Sequence, residues 1–113
     1  MPATITAVGA PQRAAVHHIL TTPSIAGRTA PHLTGDGPDW AAILGEVSTM
    51  SAGQELLVRV AHDLAEGTSL TAVWELPERL GPGPFSRVVE ALAMCRGEAA
   101  WVTADVPPLA AAA

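Results

Sequence analysis

The segment from Ala52 to Glu66 carries its own start signal, its own stop signal and a single apolar stripe, and whatever this chain folds into must bury that stripe. Ser51 is placed to cap the first turn. Gln54, three residues on, is placed to return the reciprocal bond of a capping box. Leu56, Leu57, Val60, Ala61 and Leu64 fall on one face, with Glu55, Arg59, His62 and Glu66 opposite. Glu55 and Arg59 stand in the favourable order for an i, i+4 ion pair, and Gly67 ends the helix.

The stripe must be covered by neighbours, and the flanking sequence supplies short helices. Thr68 or Ser69 is suited to cap a helix over Ser69–Leu76 with Leu70, Val73 and Trp74 in the core, stopping where Pro77 would clash with a carbonyl one turn back. Residues 77–83 read as a turn. Pro84 opens a further helix to Arg96, with Phe85, Val88, Val89 and Leu92 inward and Gly97 as its stop. Upstream, Pro38 starts a short helix carrying Trp40, Ile43, Leu44 and Val47, which ends near Ser48.

The remainder is less regular. Pro2, Pro11, Pro23, Pro31 and Pro38, with Gly9, Gly27, Gly35 and Gly37, punctuate the first third of the chain. Residues 1–37 therefore read as an N-terminal arm. Within it, a helix over residues 11–20 places Ala15, Val16, Ile19 and Leu20 at helical spacing, and Ser24 to Asp36 has turn composition. Residues 38–104 form the expected core domain, in which Ala100–Ala104 has the composition of a short C-terminal strand; residues 105–113 are a tail. The fold class is mainly α, a small bundle of about three to five short helices.

A chain of 113 residues is expected to form one core. Its hydrophobic fraction of 49% is rich in alanine, so burial falls to the aliphatic residues, Phe85 and the three tryptophans. The formal net charge of -5, with arginine as the only basic type besides histidine, argues against general affinity for nucleic acid or an anionic membrane. No apolar stretch approaches the ~20 residues of a membrane span, and residues 1–10 lack the pattern of a secretory signal. Cys95 is the single cysteine, which fits a reducing cytoplasm.

No constellation points to catalysis. His17 and His18 are adjacent, about 100° apart on a helix, and do not share one metal ion in the i, i+4 manner. His32 and His62 are read as surface residues, and Cys95, near a helix C-terminus, lacks the setting of an activated thiolate. Asp36 and Asp39 precede a helix as caps, and the Gly-rich pieces at 35–37 and 81–83 lack the lysine and spacing of a phosphate loop. No catalytic, metal or cofactor-binding residue is assigned, and the chain is expected not to be an enzyme.

Two resemblances bear on function. The order Ser51–Glu66, Ser69–Leu76, a Gly/Pro turn, Pro84–Arg96 and a strand at Trp101 resembles a winged-helix or helix-turn-helix domain over residues 51–104. That resemblance implies a DNA-binding regulator contacting DNA through Arg79, Arg87 and Arg96. The recognition helix would then present Ser86, Arg87, Glu90 and Met94, and its glutamate, like Glu78 in the turn before it, opposes phosphate. The runs Met50–Leu57 and Leu92–Gly97 are also similar to small helical proteins of actinobacterial phage and prophage-like clusters. This second resemblance implies a role in particle or complex assembly. The expected function is a non-enzymatic protein-interaction or assembly module, with a protein partner or a second copy docking at Trp40, Trp101 and Met94. The alternative is the winged-helix regulator.

Overall fold

The computed structural model of the protein describes residues 9–97; Trp101, the strand expected at 100–104 and the tail expected at 105–113 lie outside the described residues. Among those described are six α-helices: α1 (Ala10–Leu20), α2 (Pro23–Thr29), α3 (Trp40–Glu46), α4 (Ala52–Glu66), α5 (Glu75–Arg79) and α6 (Pro82–Cys95). Leu33–Thr34 (β1) pairs antiparallel with Gly37–Pro38 (β2), Leu33 opposite Pro38 and Thr34 opposite Gly37. The protein is a small, mainly α domain.

The helix with the clearest signals forms as its sequence dictates. Ser51 Oγ accepts from the Gln54 N–H at 3.2 Å, and Gln54 Oε1 accepts from the Ser51 N–H at 2.9 Å. Gly67 takes φ +71°, a left-handed conformation that any side chain would strain. Gln54 does more than cap. Its Nε2 donates to the Ser24 carbonyl at 2.9 Å and so ties the start of α4 to α2.

The main departure from the sequence reading concerns residues 10–38, which belong to the core. α1 packs on both α4 and α6, which touch each other only slightly, and Ala15, Val16, Ile19 and Leu20 are buried as their spacing requires. α2 adds the fully buried Ile25, and the buried Thr29 hydroxyl donates to the Leu20 carbonyl at the end of α1. The prolines explain the difference. Pro11 and Pro23 sit in the first turns of α1 and α2, and Pro31 opens a 3-10 turn at Ala30–His32, all places where a missing N–H sacrifices no helical bond. The proline density that suggests an arm marks helix starts instead.

Two further expectations are corrected. Residues 67–74 are not helical, α5 begins only at Glu75, and Leu70, Val73 and Trp74 are exposed rather than in the core. Pro77 falls inside α5, but at its third residue, where the backbone N–H has no helical partner to lose. α6 starts two residues early, at Pro82, and lies on α1 through Val88 and Ala91; Val89 and Leu92 face outward, while Arg87, Glu90 and Met94 are half-buried. A polar contact accompanies this rotation. Glu90 Oε1 lies 2.6 Å from His18 Nε2, and Arg87 Nη1 donates to the His18 carbonyl at 3.0 Å.

Gly53 is a point where α4 lies against the end of α5. A Cβ at this position would lie 3.0 Å from the Arg79 carbonyl oxygen, so glycine is what allows the two helices to meet.

Candidate docking surface

Arg59 and Asp63 lie one turn apart on α4, half-buried at the edge of its apolar face, and both act on the chain that follows Gly67. Asp63 Oδ1 accepts from the Leu70 N–H at 2.9 Å and from the Thr68 hydroxyl; Oδ2 accepts from the Thr71 N–H at 2.9 Å. This carboxylate satisfies two amides and a hydroxyl of the segment after Gly67 and so fixes the path of that segment over α4. Burial pushes the Asp63 carboxyl up, but the bonds from Thr68, Leu70 and Thr71 outweigh it and hold the group below the usual aspartate range.

The far end of the loop is fastened by Glu75. Its carboxylate takes a two-pronged bond from Arg59, Nη1 to Oε2 and Nη2 to Oε1, both at 3.2 Å. It also accepts from the Ala72 N–H at 3.1 Å, and Arg79 Nε approaches Oε1 at 3.4 Å. The Arg59 bond and the Ala72 amide hold Glu75 below the ordinary glutamate range, and the same Glu75 bond raises Arg59. Arg59 Nη1 also donates to the Leu70 carbonyl at 3.1 Å, so one guanidinium reaches both ends of the loop.

A rigid turn results, and its apolar side chains point into water. Leu70 is 53% exposed, Val73 80% and Trp74 62%. The Arg79 guanidinium lies 5.8 Å from the centre of the Trp74 ring, within cation–π range. Ordered backbone beneath exposed tryptophan is the arrangement of a preorganised contact, because the entropy of fixing the loop is already lost before a partner arrives.

A second feature is concave. α1, the β1–β2 hairpin, the start of α3 and the end of α4 line an open cleft of about 690 Å³, with apolar walls from Val16, Leu33, Pro38 and Trp40 and with Arg13, His17, Asp36 and Glu66 as its polar lining. Trp40, one of the expected interface residues, is half-buried here, its ring 5.0 Å from that of His62 in an edge-to-face contact. His62 is therefore part of this packing rather than a bare surface histidine.

The remaining singled-out residues are dispersed. Met94 is half-buried against the core. Arg79 belongs to the loop platform, Arg87 to the His18 contact, and Arg96 follows the end of α6. Burial pushes the Cys95 thiol up, away from the reactive thiolate. Among the described residues no group of three or more His, Cys, Asp or Glu is placed to hold a metal ion, and no helix is long and apolar enough to cross a membrane. The sequence reading missed Leu70, Val73 and Trp74. No turn spacing signals them, because the backbone bonds that place this segment run from Asp63 to residues seven and eight positions on. Comparisons with protein-family models, curated proteins and solved structures found no match.

Proposed function

We propose that this protein is a non-enzymatic interaction or assembly module of the cytoplasm that docks a protein partner on the 67–74 turn. The observation that carries this reading is Trp74, held in water by a turn whose backbone is fastened through Asp63, Arg59 and Glu75. Burying an aromatic of this size on a partner returns more apolar area than any other single contact the described surface offers. The regulator reading draws less support, since Arg79 leans on Glu75 and Trp74 while Arg87 is engaged by His18.

The test compares proteins that co-purify with tagged wild type and with Trp74→Ser from lysate of the source cells. Trp74 is exposed, so the substitution leaves the fold intact, which a thermal melt verifies. Loss of specific co-purifying chains from the variant is the expected result. Identical sets from the two proteins would remove the reading.

A further inference from the structure

The turn at Trp74 is a knob, and the same chain carries a hole. We infer that the occupant of the cleft between α1 and the β1–β2 hairpin is the Trp74 turn of a second copy of this chain. The inference rests on the docking role given above to Trp74 and names its partner.

Three observations meet here. The knob and the cleft have no residue in common, so one chain offers both halves of a contact at once. The cleft's volume of about 690 Å³ falls in the range of sites that enclose a drug-sized body, ample for an indole with a valine beside it, and its walls are apolar. The charges also agree. Arg79 stands at the edge of the knob with only its Nε directed at Glu75, while exposed Asp36 and Glu66 line the cleft together with Arg13 and leave its lining formally acidic. An arriving guanidinium meets two carboxylates against one arginine. Those charges also offset the repulsion expected between two chains of net charge -5.

A flat self-pairing of the knob is the weaker arrangement. Leu70, Val73 and Trp74 are three exposed side chains, few beside the ~20–30 residues a side of a standard interface, and so small an apolar group gains most of its burial in a concavity. Because the joined surfaces are unlike, each added chain keeps one knob and one cleft unused, and growth continues until the rotation between neighbours closes a ring.

Two variants separate the halves. Trp74→Ser removes the knob. Gly35→Phe fills the cleft from the hairpin tip, where an added Cβ meets nothing within 4 Å. The double variant Asp36→Lys with Glu66→Lys reverses the charge at the mouth and serves as an independent cleft variant at exposed positions. Sedimentation equilibrium is run from about 10 µM to about 1 mM, a range suited to a contact of this size. The weight-average mass of wild type is expected to rise past that of a dimer. Each variant alone associates more weakly by more than about tenfold. An equimolar mixture of Trp74→Ser and Gly35→Phe forms two-chain complexes and nothing larger, since one knob and one cleft survive. A monomeric wild type, or a mixture that fails to pair, overturns the inference. If wild type stays monomeric while Trp74→Ser still loses co-purifying chains, the docking role stands and only its self-directed form falls. If Trp74→Ser loses neither, both fall together.

Discussion

Where α1 lies against α4 and α6, Ala15, Ile19, Leu20, Leu56, Leu57, Val88 and Ala91 are hidden from water, and charged groups stay at the margin. Where α4 passes into α5, the arrangement is inverted: carboxylates and a guanidinium lie beneath, and leucine, valine and tryptophan stand outside. The first region draws its stability from apolar burial and tolerates no gap. The second draws its shape from directional bonds and gains little from its apolar side chains until something covers them. A small chain can therefore keep a display surface without weakening its core, provided the two depend on different forces.

This contrast can be broken most severely in the core. Leu57→Ala removes a fully enclosed side chain and is expected to lower stability by about 2–5 kcal/mol in urea denaturation. A loss below about 1 kcal/mol would show that α4 is not the wall on which α1 rests. Asp63→Ala acts elsewhere. Amide exchange at Leu70 and Thr71 should accelerate by about tenfold or more while Ile19 and Leu57 keep their protection. Equal acceleration in both regions would erase the distinction.

Acid should separate the regions in the same direction. Asp63 and Glu75 titrate below their ordinary values in the folded chain. Between those lowered values and the ordinary carboxylate range near pH 4, the unfolded chain binds more protons. Their contribution is therefore fully present above that range and is lost as the pH falls through the folded values. Protection of the Leu70, Thr71 and Ala72 amides should fail on acidification before that of the core. A smaller change is expected from Ser51→Ala, about 1 kcal/mol by denaturant titration, since it removes one half of the capping box. Smallest of all is Trp74→Ser, within about 0.5 kcal/mol of wild type by the same titration. A large loss there would mean that Trp74 supports the fold.

Legibility from sequence followed the range of the interactions involved. α4 was readable to both ends because Ser51, Gln54 and Gly67 act within one turn of themselves, and the buried face of α1 followed from the spacing of Ala15, Val16, Ile19 and Leu20. The place of α1 at the centre of the core was not, because spacing states that a face is apolar without saying which neighbours meet it. α6 shows the same limit. Phe85, Val88, Val89 and Leu92 define one plausible inward face, yet Ala91 and the His18–Glu90 contact select another, and that choice depends on a residue 72 positions away. The exposed 67–74 turn was hidden for a different reason. Leu70, Val73 and Trp74 have helical spacing, and only the folded chain brings Asp63 of the preceding helix against the Leu70 and Thr71 amides and fixes another path for them.

Gly53 gives the exposed 67–74 turn a means of variation that does not touch the turn itself. Its missing Cβ leaves room for the Arg79 carbonyl, and α5 carries Glu75, the anchor of the loop that ends in Trp74. A side chain at position 53 requires the Arg79 carbonyl to give by a few tenths of an ångström, and Arg79 stands on the same short helix as that anchor. Populations of related sequences drifting at this position would alter the angle at which the tryptophan is presented while every contacting residue stayed the same. If the 67–74 turn docks a partner as proposed, a randomised library selected for altered docking should recover position 53 alongside position 74, through backbone geometry alone.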